Sequence, residues 1–150
     1  MKYTNIDNPT WEELLAMESG IIIKDWYDDS VRCLIMRGPM NLCAYIGMPS
    51  DHPVSGFDYD ELPIECHYGL TFADEGDDNY RPNGYYWYGW DYGHSGDYGF
   101  YYDTTPITSD YLKSNDKKWL VKDVEDDMWS TVWQFKRLIK MVEKIMNKYK

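Results

Sequence analysis

Residues 31–46 read Val31-Arg32-Cys33-Leu34-Ile35-Met36, then Arg37-Gly38-Pro39-Met40-Asn41, then Leu42-Cys43-Ala44-Tyr45-Ile46. Two apolar runs of strand length bracket a Gly-Pro breaker, which predicts neighbouring antiparallel strands joined by a hairpin-like turn. Upstream, Asn8-Pro9-Thr10-Trp11-Glu12-Glu13 reads as a helix start. Thr10 can cap it, the glutamates sit in its first turn, and the helix is expected to end near Gly20. Downstream, the stretch from Met48 to Glu65 is rich in Pro, Gly and Asp, so a long loop is expected, with one turn at most around Asp58 to Leu62. Alternation predicts a strand from Cys66 to Phe72 and another from Tyr85 to Trp90, on either side of an acidic loop from Asp74 to Asn83. Together these runs predict a four-stranded sheet.

Val124, Met128, Val132, Phe135, Leu138, Val142, Ile145 and Tyr149 recur at helical spacing and predict one long C-terminal helix. Asp123, Glu125, Asp126 and Asp127 crowd its start, while Lys136, Arg137, Lys140, Lys144 and Lys148 fill its end, as the helix dipole favours. Trp129 and Trp133 lie four apart beside the apolar stripe, so they either widen it or supply a homo-oligomer contact. The expected fold is α+β: a small antiparallel sheet with a short N-terminal helix and a long C-terminal helix packed on one face, the opposite face bearing the site.

A chain of 150 residues suits a single domain, 1–150, with a core that needs no disulfide or metal staple. Neither a signal-peptide run nor a membrane-length apolar segment is present in the sequence, so the expected location is the cytoplasm. Cys33, Cys43 and Cys66 are odd in number and widely spaced, which fits reduced thiols and no zinc pattern. The net charge of −11 is uneven: residues 136–150 hold six Lys/Arg against Glu143, leaving nine basic and 25 acidic residues, or −16, on the remainder. Such a body repels polyanions, so direct nucleic-acid binding is not expected. A basic protein partner is compatible with it.

All three histidines, His52, His67 and His94, fall within residues 52–94, together with Asp58, Asp60 and Asp91. Two histidines with Asp91 and Asp97 offer donors that suit zinc, manganese or iron, but the spacing does not demand a metal. There is no His-Glu-x-x-His pattern, His94 and Asp97 lie in a glycine-rich turn, and the loop begun at Asp74 has Tyr85 where a calcium loop needs Glu. No metal or other cofactor is expected. Gly93-His94-Ser95-Gly96 approaches a nucleophile elbow, but Asp97 replaces the closing glycine. Cys66 and His67 are adjacent, and neighbouring strand residues point to opposite faces. If the protein is an enzyme, His52, His67 and His94 are the acid/base groups, with Asp91 or Asp58 orienting one imidazole at a phosphodiester.

Ligand capture explains the aromatic excess more directly. Tyr86, Tyr88 and Trp90 share one face of a strand, and Tyr85, Trp87 and Gly89 the other, so one face can stack a base. Arg37 and Arg81 are candidate phosphate partners.

Gly38-Pro39 with Leu42-Cys43-Ala44-Tyr45-Ile46-Gly47, His52-Pro53, Asp58-Tyr59-Asp60, His67-Tyr68-Gly69-Leu70-Thr71-Phe72 and the run from Trp87-Tyr88-Gly89-Trp90-Asp91 through His94-Ser95-Gly96-Asp97 together resemble a family of small phage and prophage proteins. The resemblance covers roughly residues 38–97 and fits the helix after Trp119 loosely. It implies an accessory role, such as countering host defence in the host cytoplasm, and it assigns no catalytic residue. The expected function is capture of a small nucleotide-like ligand by His52, His67, Tyr86, Trp87, Tyr88, Trp90, Asp91, His94, Arg37 and Arg81, without turnover. The alternatives are a metal-independent phosphodiesterase and an acidic inhibitor of a basic host protein, a nucleic-acid mimic.

Overall fold

The computed structural model describes residues 1–105 and 115–149. Its strands are β1 (Lys2–Tyr3), β2 (Ile21–Asp28), β3 (Val31–Arg37), β4 (Leu42–Pro49), β5 (Phe72–Glu75) and β6 (Tyr85–Asp91). The helices are α1 (Trp11–Ala16), α2 (Tyr101–Thr104) and α3 (Val121–Lys148). The strands form one sheet in the order β1-β2-β3-β4-β6-β5, parallel only at β1/β2. With α3 lying across one face, the fold is α+β.

The hairpin at residues 31–46 forms as its sequence predicts, with Cys33 opposite Ile46 and Ile35 opposite Ala44. The sheet is larger than four strands because β2, Ile21-Ile22-Ile23-Lys24-Asp25-Trp26-Tyr27-Asp28, extends it on the other side of β3. Three β-branched residues, two aromatics and the two-residue Asp29-Ser30 turn are the sequence signals that mark it. Asp29 adopts a φ of 53° in that turn.

The strand predicted from Cys66 to Phe72 is a turn, and only Phe72 of that stretch enters β5. Tyr68 and Gly69 both take positive φ, 59° and 85°, which no strand accommodates. α1 begins at a capping box in which the Thr10 hydroxyl accepts from the Glu13 amide and Glu13 accepts from the Thr10 amide.

The two faces of β6 divide the core. Tyr88 and Trp90 face α3 among Val124, Met128, Val132, Phe135 and Ile139. Trp87 lies on the opposite face with Ile22, Leu34, Met36 and Tyr45, against Phe72 and Tyr85. That face therefore carries a second small core where the site was expected. The strand glycines serve ring packing: a Cβ on Gly47 would stand 2.5 Å from the Trp87 ring, and one on Gly89 would stand 2.4 Å from Tyr45. The groups that approach the backbone closely at these glycines are the protein's own rings. Among the described residues, no helix is long and apolar enough to cross a membrane.

Candidate functional site

His67, Asp91 and His94 come together at one edge of the α3-covered face, with Asp97 at their centre. Asp97 is only 6% exposed. Its Oδ2 accepts from His67 Nε2 at 2.7 Å and from the His94 amide at 3.0 Å, and its Oδ1 accepts from Trp119 Nε1 at 2.8 Å. Three donors satisfy the buried carboxylate and fix the His67 ring. His67 stacks on Tyr92 at 4.8 Å, and its centroid lies 6.1 Å from that of His94. His94 Nε2 stands 3.0 Å from Asp91 Oδ1, but it is buried and misaligned for a hydrogen bond.

Tyr68 covers His94. Its ring stacks at 4.6 Å and 11°, its hydroxyl donates to the Ser95 carbonyl at 2.7 Å, and it is 59% exposed. A bulky residue held in the left-handed region stores backbone strain, and the following Gly69 completes the turn that carries it. Lys117 lies nearby, with its ammonium 3.8 Å from the centroid of the Trp119 ring. Sequence reading missed Asp97 as the organising group and Trp119 as its partner, because the contact spans 22 residues that no local pattern connects.

The other named residues lie elsewhere. His52 accepts from the Val54 amide through Nδ1 at 3.1 Å and places Nε2 3.3 Å from Glu143 on α3, so it ties the loop after β4 to the helix. Arg37 is buried and donates to the carbonyls of Leu14, Gly38 and Pro39, with its guanidinium 3.9 Å from the Phe100 centroid. These bonds engage Nε and Nη1 in joining α1 to the hairpin turn, and at 6% exposure the side chain is enclosed by the fold instead of facing a ligand. Arg81 lies over Phe72 and Tyr45 at 4.2 and 5.0 Å, with Nε buried and unpartnered.

Trp87, Tyr88 and Trp90 are fully buried, so they present no face to a ligand. Trp87 Nε1 donates to the Pro82 carbonyl, and Trp90 Nε1 donates to Tyr92 Oη, which itself donates to Asp127. Tyr88 and Tyr86 donate to the carbonyls of Val54 and Phe57. The two tyrosines therefore anchor the acidic loop after β4, and only Tyr86 of this quartet reaches the surface.

Among the described residues, no group of three or more His, Cys, Asp or Glu side chains is placed to hold a metal ion. The acidic loop after β5 closes on itself: Asp77 accepts from the amides of Asn79 and Tyr80, which hold its carboxyl below the usual range. Cys66 borders a groove of about 220 Å³ with His67, Asp127 and Ser130. Burial, reinforced by Asp127, pushes its thiol up to about 12, and burial does the same at Cys33 and Cys43. A raised pKa leaves all three as thiols at pH 8. Iodoacetamide is therefore expected to label the native protein roughly tenfold or more slowly than the urea-unfolded chain, and equal rates by mass spectrometry would contradict this.

No family model matches the chain, and no curated protein or solved structure matches it.

Proposed function

We propose that this chain is a binding protein that engages a basic protein partner through an acidic, aromatic-studded face built around Tyr86. The observation that carries the reading is the gathering of Asp58, Glu61, Asp74 and Glu75 about the Tyr86 hydroxyl, which burial and these four carboxylates together push up in pKa. Phe57 and Tyr59 stand exposed beside it, on a loop that the Tyr86 and Tyr88 hydroxyls hold in place.

Rigid aromatics within an acidic rim are the composition of an interface hot spot. The −16 body would speed the approach of a basic surface. In the phage setting that the motifs imply, the partner is a host protein whose groove ordinarily takes a polyanion. Capture from host lysate, followed by titration of the identified partner, tests the reading. The Phe57→Ala/Tyr59→Ala and Asp58→Lys/Asp60→Lys variants are each expected to weaken binding roughly tenfold or more, with the charge variant also flattening the salt dependence. Unchanged affinity in both would refute it.

Capture of a small nucleotide-like ligand is a second reading, and one observation favours it. Tyr68 is stacked on one face by His94 and largely exposed, with the His67 ring edge-on to it at 4.9 Å, so its outer face can take a base. It predicts a thermal shift with a nucleotide that Tyr68→Ala removes.

A further inference from the structure

The flank of α3 that the sheet leaves uncovered carries two grooves of opposite charge. Trp26, Asp28, Lys122, Glu125, Asp126 and Trp129 line one of about 460 Å³ toward the helix start. Asp29, Trp133, Lys136, Arg137, Lys140 and Lys144 line another of about 480 Å³ toward its end. The first sets three carboxylates against Lys122, which bridges Asp126, and Lys24, which reaches Glu125 from β2, so it is acidic by one charge; the second sets four cations against one carboxylate. Lys136, bonded to Asp28 and Asp29, stands between them.

Each groove is bordered by a tryptophan at the surface, Trp129 at 71% and Trp133 at 49% exposure. Met141 and Ile145, both more than half exposed, resume the same i, i+4 row beyond Arg137. Ile139 is the last fully buried residue of α3 and Val142 the last that packs on the core, so Ile145 and Met146 lie beyond it, exposed. A row of exposed apolar side chains broken only by Arg137, whose guanidinium lies over the Trp133 ring, marks an interaction surface.

We propose that this flank is a homodimer interface in which α3 of two copies packs antiparallel about a twofold axis. An isologous contact apposes one surface to itself, so the surface must be self-complementary. In the antiparallel arrangement the acidic groove of each copy meets the basic groove of the other, whereas a parallel arrangement opposes like charges. An axis passing near Phe135 sets Asp126 against the partner's Lys144, Trp129 against the partner's Met141 and Trp133 against the partner's Arg137. Within one chain Arg137 already lies 5.5 Å from the Trp133 centroid, the contact that the second copy would repeat. A helix of 28 residues spans roughly 42 Å at its usual rise, long enough for an interface of standard size. A small anion would fill the basic groove alone and leave the ridge and the acidic groove uncovered.

Sedimentation velocity over a range of protein concentrations is expected to show a monomer–dimer equilibrium. Asp126→Lys and the double variant Lys140→Glu/Lys144→Glu are each expected to raise the dissociation constant roughly tenfold or more. Mixing the two is expected to restore association, because the reversed charges meet across the axis. Trp129→Ala acts in the same direction. These side chains are exposed, so each variant should keep the wild-type circular dichroism spectrum. A wild-type chain that stays monomeric at every concentration, or a mixture that fails to associate, overturns the proposal. So does stabilisation of a monomer by ATP or polyphosphate that Lys140→Glu/Lys144→Glu abolishes, since the groove then belongs to an anion.

Discussion

Replacing Trp87 by alanine is expected to lower the unfolding free energy by about 3–5 kcal/mol, the cost of removing a large ring from a packed core. Trp87 is fully buried, its indole nitrogen satisfies the Pro82 carbonyl, and Gly47 on the neighbouring strand makes room for its ring. The substitution leaves a cavity on the sheet face over Gly47, among Ile22, Leu34, Met36 and Tyr45, and an unmet Pro82 carbonyl, and neither can be filled without moving the sheet. Urea denaturation followed by tryptophan fluorescence and circular dichroism measures the loss. A loss below about 1 kcal/mol combined with an abolished ligand response would mean that the ring serves recognition after all. The same reasoning applies to Tyr88 and Trp90, which are buried against α3.

The second large effect is expected at Asp97. Asp97→Ala strands the donors of His67, His94 and Trp119, and breaking a buried charged contact by removing one partner costs about 3–5 kcal/mol. Asp97→Asn keeps one acceptor oxygen, so a smaller loss is expected, by roughly half. The sites involved lie in the turn at Cys66–Gly69, in the run before α2 and in the segment leading into α3. Near-ultraviolet circular dichroism should accordingly report loosening around Trp119 before global unfolding. If Asp97→Ala were as stable as the wild type, the His67–Asp97 pair would not be a cross-link, and its orientation of an imidazole beside a second histidine would point back to acid/base chemistry.

Much of the fold was legible because its signals are local. The apolar repeat from Val124 onward needs no knowledge of the sheet, and α3 runs over Val121–Lys148 with acidic residues at its start and basic ones at its end. The Thr10/Glu13 capping box is likewise written in four consecutive residues. The hairpin at residues 31–46 forms because Gly38-Pro39 interrupts two runs that each bury nearly every side chain. β2 was missed: Ile21-Ile22-Ile23 and the Asp29-Ser30 turn signal it, but its mixed burial lacks the clean alternation that marks a strand.

The site was less legible because its chemistry depends on which groups the core consumes. An aromatic-rich segment has the same composition whether it stacks a ligand or fills an interior. For Trp87, Tyr88 and Trp90 the deciding fact is that β6 sits between β4 and β5 in the sheet, and an inner strand of a two-sided core buries both its faces. Arg37 next to a Gly-Pro turn reads as an exposed cation until α1 is laid over it. Of the histidines, spacing along the chain could not separate His52, which the loop after β4 turns toward Glu143, from His67 and His94, which Asp97 gathers.

The sequence by itself determined the α+β class, the length and polarity of α3, the hairpin and the strongly acidic body, since periodicity, capping and charge count are properties of neighbouring residues. Only the tertiary structure decided that Trp87, Tyr88 and Trp90 are core, that Asp97 organises the His67–His94 corner, and that Tyr68, Trp129 and Trp133 stay at the surface. Burial and long-range hydrogen bonds arise between residues far apart in the chain, and a side chain becomes available for recognition only where the packed core does not enclose it.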